Sequence, residues 1–160
     1  MPSRTAHRSP TPRAEWLQLD RQLCFALYAS SLAMTKLYKP LLQSLGLTYP
    51  QYLVMLVLWE TDSLGVNQLG ERLALDSGTL TPLLKRLEAH QLLQRLRDTG
   101  DERRVRVRLT PAGLALREQA LRIPPAVAAA SGCSLNELSE LTARLHGLRQ
   151  HLNPPSPSAA

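Results

Sequence analysis

One stretch of the sequence, residues 66–109, constrains the fold more than any other. Residues 66–74 and 79–90 each place apolar side chains at three- and four-residue steps, which predicts two amphipathic helices. A turn at residues 75–78 separates them, and two helices joined in this way form the helix-turn-helix pattern. We expect Pro82 close to the first turn of the second helix, where its missing N–H costs little.

A β-hairpin is predicted directly after the second helix. Residues 104–109 alternate arginine with valine or leucine, and this period of two is typical of a strand. Residues 92–97 supply the partner strand, and the sequence Asp-Thr-Gly-Asp at 98–101 supplies the turn between them. A β-hairpin that directly follows a helix-turn-helix is called a wing. The predicted fold class is therefore mostly α-helical with a small β-hairpin wing, a winged helix-turn-helix.

Two helices are predicted before this head. Residues 15–45 place apolar side chains on one face of a long amphipathic helix, which Gly46 ends. Residues 50–60 form the next helix and are apolar nearly all round. Because such a helix must be covered on every side, we expect it at the centre of the core.

Further helices are predicted after the wing, at 111–122 and 135–151, and a Pro-Pro pair at 124–125 interrupts the chain between them. Ser134 and Glu137 have the spacing of a capping box at the start of the last helix. An apolar face of that helix, expected to point inward, consists of Leu135, Leu138, Leu141, Leu145, Leu148 and Leu152.

The predicted organisation comprises a disordered basic tail at 1–13, a single domain at 14–152 and a second disordered tail at 153–160. Within that domain, the DNA-binding head is expected at about 62–110. The helices at about 15–45 and 111–151 are longer and more apolar than a winged head needs. We therefore expect them to form the dimerisation region of a homodimer.

Composition excludes several classes of protein. The 160 residues carry a net charge of +6, which favours an acidic partner such as nucleic acid. Two cysteines are too few for a disulfide framework, and the sequence has no apolar run of about 18 residues and no secretory signal. A cytoplasmic location is the resulting expectation. The four histidines show no ligand spacing with either cysteine, so we predict no metal and no cofactor.

The second helix of the head carries side chains suited to base edges and phosphates. The residues predicted to contact DNA there are Ser77, Thr79, Thr81, Lys85 and Arg86. Six arginines lie within residues 95–108, and a basic hairpin after a recognition helix is typical of phosphate or minor-groove contact. All seven aromatic residues lie between positions 16 and 59, outside the head. Because readers of single strands need aromatic stacking platforms, we expect the partner to be double-stranded DNA.

Cys24 lies in an apolar helix upstream of the head, and Cys133 is the second cysteine of the chain. A cysteine in such a helix is usually an inert, small hydrophobic residue. The other interpretation is a thiol whose oxidation controls DNA binding. The residues alone leave both interpretations open.

Several motifs resemble a known family. Residues 66–110, which end in DERRVRVRLT, resemble the winged helix-turn-helix of MarR-type repressors. The motifs LCFALY at 23–28, LTYPQY at 47–52 and LDSGTLTPLLKRLE at 75–88 resemble the organic hydroperoxide resistance regulators within that family. The resemblance covers about residues 15–150.

The resemblance implies roles for individual residues of the sensor. Cys24 falls on the peroxide-sensing thiol of these regulators, and Tyr38 and Tyr49 fall on two tyrosines that reach it from the partner subunit. Hydroxyl groups that donate to sulfur would favour the reactive thiolate. Cys133 matches the members in which a second cysteine traps the oxidised sensor as a disulfide between subunits.

The resemblance also implies a role for the wing. Arg103 falls on the arginine that enters the minor groove, Asp101 falls on the residue that braces it, and Arg104 lies beside them near the tip. One position departs from the family: Gln91 stands where many members have glycine, between the recognition helix and the wing. This departure concerns the local backbone conformation.

Together these observations predict a redox-sensing repressor. As a reduced homodimer it would bind palindromic duplex DNA, and organic hydroperoxides would release it by oxidising Cys24. An alternative is a MarR-type repressor that a small aromatic ligand releases. A second alternative is a thiol peroxidase, but an enzyme has no need of a DNA-reading hairpin, so we predict that the protein is not an enzyme.

Overall fold

A computed structural model of the chain describes residues 15–97, 100 and 104–153. The fold is mostly helical with a small antiparallel sheet, which confirms the predicted class. The chain divides into two compact units, Met1–Leu37 and Tyr38–Ala160. The predicted tails lie outside the described residues, except for residue 153, which forms a bend.

The described residues form seven α-helices and three strands. The helices are α1 (Leu23–Gln43), α2 (Tyr49–Glu60), α3 (Val66–Leu73), α4 (Ser77–Ala89), α5 (Pro111–Ala120), α6 (Ile123–Ser131) and α7 (Leu135–Leu152). The strands are β1 (Leu64–Gly65), β2 (Leu93–Arg97) and β3 (Val105–Leu109), in the order β1-β3-β2. Both strand pairs are antiparallel.

The first unit departs from the single helix predicted for residues 15–45. A short 3-10 helix, Leu19–Arg21, precedes α1, and Gln22 between them has an extended backbone (φ −87°, ψ 113°). The side-chain amide of Gln22 donates to the carbonyl oxygens of Trp16 and Gln18, so it satisfies backbone groups that a continuous helix would have used. The prediction of one unbroken helix was therefore wrong at its amino-terminal end.

In the second unit, α2 lies at the centre of the core, as predicted. Tyr52, Val54, Met55 and Leu58 are buried, and Trp59 is half-buried. Around them the head contributes a set of fully buried side chains, namely Leu69, Leu80, Leu84, Leu87, Leu93 and Val107. The apolar faces predicted for the two helices of the head are thus the faces that are buried in the core.

The turn between α3 and α4 is shorter than expected. Ala74 adopts a left-handed conformation (φ 53°), and Asp76 caps α4, which begins at Ser77. Because the helix begins two residues before the predicted Thr79, Pro82 is its sixth residue and not part of the first turn. The expected place of Pro82 was therefore wrong.

The carboxyl-terminal helices differ from the prediction in two ways. The prolines at 124–125 do not separate helices but lie in the first turn of α6, where proline fits. Helix α7 begins with the predicted capping box, since Ser134 N donates to Glu137 Oε2 at 2.7 Å and Glu137 N donates to Ser134 Oγ at 3.2 Å. Its predicted inward face is not buried in the single chain, where no residue of α7 is buried.

Candidate functional site

Helix α4 is the predicted recognition helix, and Asp76 sets its start. The Asp76 carboxylate accepts from the backbone N–H of Thr79 at 2.8 Å and from the Thr79 hydroxyl at 3.2 Å. These hydrogen bonds lower the pKa of Asp76, with the backbone bond as the largest cause. An ionised cap therefore holds the first turn of the helix.

The outward face of α4 carries the side chains predicted to contact DNA. Ser77, Thr79, Lys85 and Arg86 are exposed, whereas Thr81 is half-buried. The Thr79 hydroxyl is already bonded to Asp76, so this group is part of the cap. The structure brings all five residues onto one helix, and their contact with DNA stays a prediction.

The six arginines of the predicted wing differ in their surroundings. Arg95 is half-buried and bonded to Glu88 of α4, and Arg106 donates to the Ser63 carbonyl oxygen at 2.8 Å. Arg97, Arg104 and Arg108 are exposed. Asp101 and Arg103 lie outside the described residues, and so does most of the predicted turn at 98–101. At least two of the six arginines therefore have partners within the protein.

A third strand, which the sequence analysis missed, anchors the wing. Leu64 of β1 pairs with Val107 of β3, and the Asp62 carboxylate accepts from the backbone N–H groups of Ser63 at 2.7 Å and Leu109 at 2.8 Å. Only two residues form β1, which is too short for an alternating pattern. An Asp-Ser pair before the first helix of the head was the available signal for this turn.

A compact set of hydrogen bonds joins the wing to α5. Thr110 Oγ1 donates to the Gln91 carbonyl oxygen at 2.6 Å and accepts from Gly113 N at 3.0 Å. Thr110 N donates to the Leu92 carbonyl oxygen at 3.1 Å, and Trp59 Nε1 donates to the Gly113 carbonyl oxygen at 2.9 Å. The end of the recognition helix, the base of the wing and the first turn of α5 therefore meet at one junction.

Gln91 adopts a left-handed backbone at this junction, with φ 59°. This is a conformation that glycine adopts without strain. The departure noted in the sequence does not change the backbone: Gln91 takes the conformation that glycine would favour.

Tyr38 and Tyr49, the two tyrosines predicted to serve the sensor, lie side by side. Their ring centroids are 4.8 Å apart, and Tyr52 lies 6.0 Å from Tyr38. Burial raises the pKa of Tyr38 and of Tyr49, and burial with the neighbouring tyrosines raises the pKa of Tyr52 to about 12. At neutral pH the three hydroxyls are protonated and available as hydrogen-bond donors. Tyr52 was not among the residues predicted for the sensor.

Both cysteines are free thiols. Cys24 is exposed on α1, and Cys133 is half-buried in the loop before α7, where its thiol lies 3.7 Å from the Ser131 carbonyl oxygen. Among the described residues, no cluster of three histidine, cysteine or acidic side chains has the arrangement of a metal site. No helix in the described part of the chain is long and apolar enough to cross a membrane.

Comparisons with known proteins extend well beyond the winged head. A family model described as transcriptional regulator SarA/Rot matches residues 36–118. The organic hydroperoxide resistance transcriptional regulator of Bacillus subtilis (strain 168) is 50% identical over 137 residues, which span 86% of this chain and 93% of that protein. A match of 137 residues is much longer than the head alone.

Two solved structures of AbfR, a protein of Staphylococcus epidermidis, are also similar. Overoxidized AbfR bound to DNA is 35% identical with a TM-score of 0.71, and the match covers 88% of this chain and 99% of that one. Disulfide-formed AbfR is 36% identical with a TM-score of 0.59, and the match covers 88% of this chain and 93% of that one. Both DNA-bound and disulfide-bonded forms of a similar chain have therefore been solved.

Proposed function

Because this chain belongs to the organic hydroperoxide resistance regulators, a group of MarR-type winged-helix proteins, we propose that it is a repressor controlled by thiol oxidation. Its relatives are transcriptional regulators, so the chain is a regulator and not an enzyme. In the reduced state a homodimer would bind palindromic duplex DNA. An organic hydroperoxide would oxidise Cys24 and release the dimer from DNA.

The exposed face of α4 and the basic wing support DNA as the partner. Lys85 and Arg86 on α4 and Arg97 and Arg104 on the wing are exposed cations of one head. Similar chains of AbfR have been solved on DNA in both the reduced and the overoxidized state. We propose that α4 enters the major groove while the wing, with Arg103 and Asp101 as its predicted contacts, follows the adjacent minor groove.

A dimer is supported by apolar side chains that the single chain leaves uncovered. On α1, Leu23 is 56% exposed and Tyr28 is 62% exposed; on α7, Leu135 and Leu141 are each 53% exposed. Uncovered apolar faces of this extent are typical of an interface with another chain. A two-fold dimer would present two α4 helices to successive major grooves, about 34 Å apart.

The observation that carries the sensor proposal is the pairing of Tyr38 and Tyr49. Within the described residues, neither hydroxyl makes a hydrogen bond, although both side chains are half-buried and both groups are protonated donors. Two adjacent donors of this kind suit a thiolate. We propose that Tyr38 and Tyr49 of one subunit donate to Cys24 of the other.

The chemistry balances without a cofactor. The Cys24 thiolate attacks the distal oxygen of the hydroperoxide, the O–O bond breaks, and the alkoxide leaves as an alcohol after it takes up a proton. The resulting sulfenic acid condenses with the thiol of Cys133 from the other subunit, which forms a disulfide and releases water. The disulfide-formed AbfR structure supports this second step by similarity.

Operator binding before and after peroxide treatment tests the proposal. The probe is the palindromic duplex that the reduced wild-type protein selects from a random pool, and the oxidant is cumene hydroperoxide. We expect the wild-type protein to leave the DNA on oxidation and Cys24→Ser to stay bound. If Cys24→Ser is released by peroxide as readily as the wild type, the sensor assignment is wrong.

Non-reducing gels test the role of Cys133. The oxidised wild-type protein should run as a covalent dimer, and Cys133→Ser should run as a monomer. A matched control is Ser131→Ala, which removes the hydroxyl next to Cys133 but keeps its thiol. If the covalent dimer persists in Cys133→Ser, Cys133 does not resolve the sulfenic acid.

A further inference from the structure

A carboxylate and a guanidinium join the recognition helix to the wing. Glu88 lies in the last turn of α4, and Arg95 lies in β2. Arg95 donates from Nε and Nη2 to Glu88 Oε2 at 2.9 and 2.6 Å, and its backbone N–H donates to Glu88 Oε1 at 3.0 Å. Both oxygens of Glu88 are thus used, and both side chains are only about one-third exposed.

Helix stability does not explain the position of Glu88. The carboxyl end of a helix is the negative end of its dipole, so a carboxylate in the last turn is unfavourable for the isolated helix. The three hydrogen bonds from Arg95 compensate this cost, and the side-chain bond is the largest cause of the lowered pKa of Glu88. The carboxylate is therefore held in place by the wing and not by its own helix.

The register of the hairpin explains why Arg95 meets Glu88. Arg95 pairs with Val107, which is fully buried, and directly opposite residues of a strand pair share one face. Arg97, two residues further along the same strand, pairs with the exposed Val105 instead. One arginine of β2 is therefore drawn toward the protein while the next stays at the surface.

We propose that Glu88 and Arg95 are positioning residues for DNA recognition, which fix the wing relative to the recognition helix, and that Arg95 is not a phosphate contact. The proposal rests on the proposed function, because it assumes that α4 and the wing bind one DNA site together. Arg95 therefore has a positioning role and Arg97 a phosphate contact, although both belong to the same run of wing arginines.

The direction in which Glu88→Gln changes the affinity for DNA distinguishes a positioning role from a purely electrostatic effect. Glu88→Gln removes a negative charge from a surface that faces a polyanion, so electrostatics alone would make DNA binding tighter. An amide has one acceptor oxygen where the carboxylate has two, so its NH₂ group must face either the guanidinium or the backbone N–H of Arg95, and the three hydrogen bonds cannot all be kept. Positioning therefore predicts weaker binding, by about tenfold, which is the size of one lost base contact.

The dependence of binding on salt separates Arg95 from a phosphate contact. Replacing an arginine that binds a phosphate lowers the slope of log K against log salt by about 0.9 and weakens binding to all duplexes. We expect this result for Arg97→Gln. Arg95→Gln should keep the wild-type slope and lose about tenfold only on the selected palindrome, since its effect comes through geometry.

The experiment measures fluorescence anisotropy of the full-length reduced protein on two duplexes, the palindrome selected by the wild type and a random sequence, at several salt concentrations. Glu71→Gln is the matched control for Glu88→Gln, because it removes an exposed carboxylate from the neighbouring helix α3. Thermal melting confirms that each variant is folded. Arg95→Lys, which keeps the charge but not the two-pronged geometry, is the second variant and should also lose affinity for the palindrome alone.

Two results would overturn the proposal. One is tighter or unchanged binding of the palindrome by Glu88→Gln together with wild-type binding by Arg95→Lys. The other is a reduced salt slope in Arg95→Gln with equal losses on both duplexes, which would make Arg95 a phosphate contact. If the wild-type protein itself selects no palindrome, the proposed function fails first and the positioning role fails with it.

Discussion

Gly113→Ala is the substitution for which the structure gives the sharpest expectation. Gly113 lies in the first turn of α5, and a methyl group added there would come within 1.9 Å of the Leu92 carbonyl oxygen and 2.9 Å of its carbon. Both are backbone atoms, so no side-chain rotation relieves the contact. The Leu92 carbonyl would have to move by at least 1.1 Å to reach the 3.0 Å below which such contacts are essentially never seen.

The expected loss of stability follows from the hydrogen bonds that this movement strains. The Leu92 carbonyl accepts from Thr110 N, and the Gly113 carbonyl accepts from Trp59 Nε1, so the shift strains two hydrogen bonds at the junction. Overpacking costs about 1–3 kcal/mol, and each hydrogen bond contributes about 1 kcal/mol. We expect a loss of about 4 kcal/mol in the free energy of unfolding, equivalent to a fall of about 8–16 °C in Tm for a chain of this size.

Thermal unfolding followed by circular dichroism measures this effect. Gly147→Ala is the matched control, since Gly147 lies in α7 and a methyl group there would meet nothing within 4 Å. That control should melt at or above the wild-type temperature, because alanine favours a helix interior by about 0.5–1 kcal/mol. If Gly113→Ala melts within about 2 °C of the wild type, less than 1 kcal/mol was lost and the described packing of α5 against the wing is wrong.

Three further predictions concern the backbone, the tyrosines and the dimer. Gln91→Gly should raise the free energy of unfolding by up to about 1 kcal/mol. Glycine removes the strain of the left-handed backbone, and this gain exceeds the cost of the greater conformational entropy of the unfolded chain. A lower urea midpoint than that of the wild type would contradict this prediction. Burial raises the pKa of Tyr52 from 10.0 to about 12, so stability that is present below pH 10 should fall between pH 10 and 12. In urea unfolding, Tyr52→Phe should lose less stability than the wild type between pH 10 and 12. If the two proteins lose the same stability over this range, the ionisation of Tyr52 is not the cause. Leu141→Arg should shift the protein toward monomer in sedimentation, and an undiminished dimer would exclude this face of α7 from the interface.

The periodicity of the sequence was sufficient to predict the head, because helices and strands that pack on one side repeat at 3.6 or 2 residues. The same rule could not place the start of α4, where the Asp76 cap begins the helix before its first inward leucine. It also could not find β1, since two residues form no pattern.

Contacts between helices and strands could not be predicted from the sequence. Nothing in the run of wing arginines distinguishes Arg95 from Arg97, and only the packing of β2 against α4 directs one of them toward Glu88. Periodicity likewise identified an apolar face on α7 but not what covers it, since no residue of α7 is buried in the single chain. The sensor role of Tyr38 and Tyr49 was predicted from the family resemblance, whereas their adjacency comes from the structure.

The most direct test of thiol-controlled DNA binding is a titration of the DNA-bound, reduced protein with cumene hydroperoxide, with anisotropy and intact mass recorded at each point. We predict that release from DNA is complete at about one equivalent of peroxide per subunit and follows the modification of Cys24 in proportion, because each peroxide molecule oxidises one Cys24 thiol. Release while Cys24 remains unmodified, or continued consumption of peroxide by protein that stays on the DNA, would contradict it.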